Sequence, residues 1–327
     1  MKPNSKNDIN PSSPAIHVAP SPHVFNMGMT TWVMMRDVII ALSPTVIVAV
    51  WFFKWYAVTQ LLICVATCLA AELIFTRMRS KPISVADLSA GVTGLILGLS
   101  LPATAPWYVG VIGSVVAIGI GKMVFGGLGM NIFNPAMVGR AFVMISFAGS
   151  LAASGYVDLT GGVDILSQAT PLTAHKQSGI TSHLAPLFWG DTNGSLGETS
   201  VPACLLGGLY LCIRRVASWE IPAGVLVTAL VLGGITNILD PSAHWTVLHH
   251  IMGGALIFGA FFIATDPVTS PLTARGKWIF GMGVGTLVMI LRLFSGYPEG
   301  IMFAILLMNA LTPLINRWTI PRPFGGI

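Results

Sequence analysis

Asp37-Val38-Ile39-Ile40-Ala41-Leu42-Ser43-Pro44-Thr45-Val46-Ile47-Val48-Ala49-Val50-Trp51-Phe52-Phe53-Lys54-Trp55 holds almost no charge between its two ends. A helix through it is apolar on all sides, and its length matches the ~20 residues needed to cross a hydrocarbon core ~30 Å thick. The pattern recurs along the chain near 56–75, 84–101, 106–125, 135–153, 199–213, 220–238, 246–265, 277–294 and 298–316, with several runs short or interrupted. Composition points the same way: 54% of residues are hydrophobic and 9% charged, so lipid must be the solvent for most of the surface. The expected fold class is all-α, a polytopic membrane protein of about ten transmembrane helices. The net charge of +5 is scattered between apolar runs, with no basic stripe, and reads as membrane topology and not as a nucleic-acid site.

Basic residues in the connections fix an orientation, because Lys and Arg loops are retained on the cytoplasmic side. With the N-terminus inside, fourteen of the 17 Lys and Arg fall at the inner side, and Lys54, Lys176 and Arg292 fall outside. A miscounted span would scramble this alternation. The chain divides into a flexible cytoplasmic tail (1–35), a first membrane repeat (36–153), a polar outer loop (154–198), a second membrane repeat (199–316) and a cytoplasmic tail (317–327). The first residues are polar and rich in Pro, Ser and Asn, unlike a cleavable signal peptide.

The halves resemble each other as two inverted five-helix repeats. Gly91-Val92-Thr93-Gly94-Leu95-Ile96-Leu97-Gly98, leading to Leu101-Pro102, parallels Gly253-Gly254-Ala255-Leu256-Ile257-Phe258-Gly259, leading to Asp266-Pro267. Lys122-Met123-Val124-Phe125-Gly126 parallels Arg292-Leu293-Phe294-Ser295-Gly296. Interruptions at equivalent places admit two readings: half-helices that point backbone groups at a ligand or ion, or small residues that let helices pack closely.

Charge inside a bilayer usually has a reason. For Glu72, Lys122 and Arg292 the ordinary expectation is snorkelling at a helix end. Asp87 is a further candidate, while Arg140 and Asp266 rank higher because they lie close to Pro135 and Pro267. No metal site is expected: Cys64, Cys68, Cys204 and Cys212 lack CxxC spacing, and Cys64 and Cys68 read as helix packing. His244, His249 and His250 gather at one helix end, with His175 and His183 in the outer loop, and they read as interfacial or loop residues. Gly119-Ile120-Gly121-Lys122 lacks the strand and spacing of a nucleotide loop.

The outer loop carries Asp164-Ile165-Leu166-Ser167-Gln168-Ala169-Thr170, similar to the Asp-x-x-Ser-Gly-Ala-Thr signal at which a periplasmic transferase attaches FMN to Thr, with Gln168 in place of the usual Gly. Ser21-Pro22-His23, Met35-Arg36-Asp37 through Pro44, Asn131-Ile132-Phe133-Asn134-Pro135 through Phe142, Gly194-Ser195-Leu196-Gly197-Glu198-Thr199-Ser200 and Asp266-Pro267-Val268-Thr269-Ser270-Pro271 extend the likeness over almost the whole chain. Together they resemble the D subunits of Rnf, the ion-translocating ferredoxin:NAD oxidoreductase, and their relatives, the B subunits of the sodium-pumping NADH:quinone reductase.

The resemblance implies an electron-relay subunit of a translocase that is not catalytic alone and couples electron transfer to Na+ or H+ transport. It implies FMN covalently held at Thr170, with Asp164, Ser167 and Ala169 in the attachment signal and Arg140, Asn134, Asp266 and Thr269 as further cofactor-binding candidates. The same analogy admits a second, noncovalent flavin (riboflavin). The implied setting is the bacterial inner membrane. The implied partners are two membrane subunits, a periplasmic FMN subunit, cytoplasmic iron-sulfur and NADH-binding subunits, and the periplasmic flavin transferase. The short N-terminal tail favours the Rnf type over a quinone-reducing NqrB type. A secondary transporter or channel without a redox cofactor is the rival from another class.

Overall fold

The computed structural model describes residues 30–80, 85–152, 155–156, 166–167, 170–178, 181–192, 194–198, 200–239, 245–295 and 299–321. Ten helical segments occupy the ten ranges anticipated from hydropathy. The first is α1 (Thr31–Met78), capped by the Thr30 hydroxyl. Its 48 residues would run ~72 Å if straight, more than twice the hydrocarbon thickness. The run breaks at Lys54, where φ is 49° and ψ is −127°, and this break separates the two anticipated spans. Then follow α2 (Ser89–Ser100), α3 (Trp107–Val116) continued by a π-helical turn to Met123, α4 (Pro135–Ser146) and the short α5 (Ala148–Ala152).

In the connecting loop Gly155–Tyr156 and Leu166–Ser167 form a two-residue antiparallel pair, and α6 (Pro171–Ser178) and α7 (Leu184–Trp189) are short helices. The second half contains α8 (Val201–Ile213), α9 (Glu220–Leu239), α10 (Val247–Met252), α11 (Leu256–Phe258) with its π-helical continuation Gly259–Ile263, α12 (Ala274–Phe294) and α13 (Ile301–Thr319). The described chain is thus all-α apart from that one small ladder.

Two kinds of helix are present. α1, α9, α12 and α13 are long and apolar enough to cross a membrane. The outward side chains of the helical segments include Trp51, Ile213 and Phe294, exposed by 77%, 79% and 83%, which suits lipid and not water. α2, by contrast, is only 12 residues, or ~18 Å. It cannot span a bilayer alone, and most of its side chains are buried among its neighbours. α10 and α11 form the corresponding interrupted segment of the second half, broken at Gly253–Ala255. The chain is therefore a multi-pass membrane protein with interrupted helices inside it.

Close approach of backbones holds the halves together. A Cβ on Gly207 of α8 would lie 1.9 Å from the carbonyl oxygen of Ala41 in α1 and 2.8 Å from Phe262 Cζ. Backbone cannot swing aside as a flexible side chain does. Gly207→Ala is expected to destabilise by about 3 kcal/mol, the upper end of ordinary overpacking, and thermal unfolding of the purified chain will show a lowered midpoint.

Candidate functional site

Three places bring together the polar groups of an otherwise apolar interior. The first is a cleft enclosing about 710 Å³ of empty space, part of it open, between α1, α2, the start of α4 and the turn after α11. Met35, Val92, Ile96, Leu211 and Phe262 give it apolar walls, and Asn131, Asn134, Thr265 and Asp266 supply polar groups.

The two proline motifs meet beside this cleft through Asn309, a residue of α13 that sequence reading passed over. Its Oδ1 accepts from the Asn134 N–H at 3.2 Å, and its Nδ2 donates to the Thr269 carbonyl at 3.2 Å. Thr312 donates to the same carbonyl at 3.0 Å. Asn134 in turn caps α4, accepting from Met137 N–H. Asp266 accepts from Val268 N–H at 3.2 Å and from the Thr269 hydroxyl at 3.2 Å, so it organises its own turn as well as facing the cleft. The signal for Asn309 was a lone amide in an apolar span, which must find partners when buried.

The second place is a buried ion pair. Lys122 Nζ lies 2.8 Å from Glu72 Oε1 and also donates to the Ser89 hydroxyl at the start of α2. Lys122 is 2% exposed and Glu72 fully buried, so neither snorkels. The expectation fails because the two charges, one on α1 and one at the end of α3, neutralise each other inside the protein, and neither needs the interface.

The third place is its counterpart in the second half. Arg292, near the end of α12, donates to the carbonyls of His250 and Gly253, where the α10–α11 segment breaks, and faces Glu299 at 3.5 Å. Arg292 also fails to snorkel, being 6% exposed. In each half a cation at a helix end thus secures an interrupted segment, Lys122 at the start of α2 and Arg292 at the break between α10 and α11. Arg140 does not join the cleft despite lying near Pro135. It points from α4 to Glu198, 3.6 Å away.

Thr170 sits beside this third place. It stands at the head of α6, half-buried, its hydroxyl 2.8 Å from that of Thr173 and accepting from the Thr173 N–H. α6 is docked on the second half in three ways. Lys176 donates to the carbonyls of Arg292 and Ser295. His175 stacks on Trp245 with ring centroids 4.3 Å apart. Leu172 packs over Gly254, where a Cβ would meet Leu172, Glu299 and Arg292 at 2.7, 2.8 and 3.1 Å. Gly254 also has φ +71°, so glycine is required there twice over. Burial and the nearby His249 hold the His175 imidazole below its ordinary pKa.

His249 and His250 are buried and not interfacial: both pack on Trp245, His249 completes the cap of α10 with Thr246, and Arg292 seals the carbonyl of His250. Cys64 and Cys68 are buried in helix packing. Asp164, Ala169 and His244 lie outside the described residues, as does the side chain of Ser167.

The NQR2, RnfD, RnfE family model matches residues 17–325. The chain belongs to that family. Among its relatives is the D subunit of the Na(+)-translocating ferredoxin:NAD(+) oxidoreductase complex of Acetobacterium woodii, 42% identical over 94% of this chain and 95% of the relative. The D subunit of the proton-translocating ferredoxin:NAD(+) oxidoreductase complex of Clostridium ljungdahlii is 40% identical over 94% and 96%. That of the ion-translocating oxidoreductase complex of Halorhodospira halophila is 40% identical over 89% and 91%. The three polar places and Thr170 all fall inside the matched range.

Proposed function

We propose that this chain is a D-type subunit of an ion-translocating ferredoxin:NAD oxidoreductase, a membrane flavoprotein relay with FMN esterified through its phosphate to Thr170. The observation that carries the reading is the placement of Thr170: a half-buried hydroxyl heading an eight-residue helix that is docked on the buried Arg292 cluster. A phosphate there meets the positive end of a helix, while an attached ring can reach apolar surroundings. Unpartnered buried nitrogens in the neighbourhood, His175 Nδ1, Arg140 Nη1 and Trp245 Nε1, fit a polar, acceptor-bearing group.

The cleft suits a second, noncovalent flavin such as riboflavin. Asn131 Oδ1 is buried there without a hydrogen-bond partner among the described residues, and a flat apolar ring with a polar edge matches apolar walls and one amide. Flavin supplies the electron-carrying chemistry when bound. The protein's residues orient it, exclude water and set its electrostatic surroundings. The proposal places the chain in a bacterial inner membrane with both termini cytoplasmic and the Thr170 loop periplasmic, within reach of a flavin transferase. Its partners are then the two membrane subunits, a periplasmic FMN subunit, and the cytoplasmic iron-sulfur and NADH-binding subunits. Relatives of nearly equal identity are named for Na+ and for protons, so the reading is of redox-coupled transport of one or the other. Denaturing the purified chain and measuring flavin in both fractions tests it. One equivalent should stay with the polypeptide and one should be released. A polypeptide that retains no flavin, from cells that possess the transferase, refutes the relay.

A further inference from the structure

One imidazole, that of His249, ties together three pieces of the structure: the start of α10, the stretch leading into α7 and, through Trp245, α6. At the start of α10 the Thr246 backbone N–H donates to His249 Nδ1 at 3.1 Å, and the Thr246 hydroxyl lies 2.8 Å from the same atom. On the other side of the ring, Nε2 lies 3.0 Å from the carbonyl oxygen of Ser182, just before α7. The ring packs on Trp245 with centroids 4.8 Å apart, and His175 of α6 stacks on that same indole.

These contacts fix the protonation state of the ring. A backbone N–H can only donate, so Nδ1 must offer it a lone pair; a backbone carbonyl can only accept, so Nε2 must carry the hydrogen. His249 is therefore neutral, with both nitrogens committed. A second proton has only Nδ1 to go to, where it would oppose the Thr246 N–H and leave that donor without its acceptor, at a residue 6% exposed. The surroundings do not offset this. α6 brings His175 and Lys176, α10 itself brings His250, and His183 follows Ser182. α12 brings Arg292, which together with the Ala255 N–H takes up Glu299. α7 and α11 have no ionisable residue, and α9, packed on α10 through Gly233, has only Glu220, in its first turn. His175 and His250 are placed differently from His249. Each has a buried Nδ1 with no hydrogen-bond partner among the described residues, so a proton there displaces no donor.

We propose that His249 is an acid-sensitive latch: neutral, it closes the cap of α10 and holds the outer segment carrying α6 and α7 on the second half; protonated, it releases both. The proton comes from water, adds to the Nδ1 lone pair and returns to water when the latch recloses. The ring then has to turn out of the cap, and the Ser182 contact and the Trp245 packing go with it. An imidazole free of such contacts takes up a proton with an ordinary pKa of ~6.5. The latch is therefore at full strength above that pH and weakens as pH falls below it, because the open state binds the extra proton. It is built from the protein's own groups and acts whether or not Thr170 carries a flavin.

Hydrogen–deuterium exchange of the purified complex, followed by mass spectrometry at about pD 7.5 and about pD 5.5, either side of the ordinary imidazole pKa, tests the proposal. After scaling for intrinsic exchange, the α6 and α10 amides of the wild type should lose about five-fold in protection at the lower value, the equivalent of one lost helix cap. His249→Gln should keep equal protection at both, because glutamine three residues after a threonine cap accepts from the same N–H and does not titrate. His175→Phe, which keeps a ring on Trp245, should respond to acid as the wild type does. A wild type insensitive to acid overturns the latch, and so does a response that survives His249→Gln or vanishes in His175→Phe. Should the glutamine variant fail to assemble, the wild type decides alone. Exchange of the His249 ring C2 hydrogen, which follows protonation of that ring, must share its pH midpoint with the loss of α6 and α10 protection; separate midpoints are equally fatal.

Discussion

Thr170→Ala is expected to abolish flavin fluorescence of the denatured polypeptide entirely, while the flavin released on denaturation stays at the wild-type amount. An ester needs a hydroxyl, and alanine has none. The substitution has a second effect that must be separated from the first. Thr170 Oγ1 accepts from the Thr173 N–H and so caps α6. Removing an N-cap costs about 1 kcal/mol and loosens the first turn. Thr170→Asn isolates the chemistry, since asparagine caps a helix as well as threonine and cannot be esterified. If fluorescence disappears in both variants, the hydroxyl itself is the anchor. Fluorescence that survives in Thr170→Asn would move the attachment elsewhere and remove the main support for the relay. Docking makes this a local experiment: Lys176 and His175 hold α6 on the second half through contacts that neither substitution touches.

Lys122→Met should be the most damaging single change within the helices. It leaves Glu72 fully buried with its cationic partner gone, and breaking a buried ion pair in this way costs about 3–5 kcal/mol. It also frees the Ser89 hydroxyl at the head of α2. The expected result is a chain that fails to accumulate in the membrane or that unfolds at much lower temperature. Lys122→Met combined with Glu72→Leu should restore a large part of that loss, because replacing both charges by apolar groups removes the unpaired one. Quantitative immunoblotting of membranes, followed by thermal unfolding of whatever is recovered, reads both steps. Equal loss in the single and double variants would show that Lys122 acts through packing and not through its charge.

These two experiments address parts of the molecule that were unequally legible. Thr170 stood out because its neighbours in sequence carry the signal, so a short window sufficed. Arg140 and Asp266 were singled out together for lying near Pro135 and Pro267, yet α4 directs Arg140 away from the cleft to Glu198, while Asp266 stays on it and ties down its own turn. Proximity in sequence to a helix start says which segment a side chain belongs to. It does not say which face it leaves from once that helix has neighbours on several sides. Asn309 and Glu299 were missed for the complementary reason. Each lies among ordinary residues, and its importance comes entirely from what is brought to it.

The sequence by itself determined the solvent and the all-α, polytopic character of the chain. Hydropathy is a sum over adjacent residues, and a stretch too apolar for water stays so whatever surrounds it. Tertiary structure alone decided that Lys122 and Arg292 turn inward, one to the start of α2 and the other to the break between α10 and α11, and that Arg140 pairs with Glu198 and Arg292 with Glu299. Whether a charge reaches for water or for an opposite charge depends on what lies within a few ångströms. For Lys122 that neighbour, Glu72, is 50 residues away along the chain.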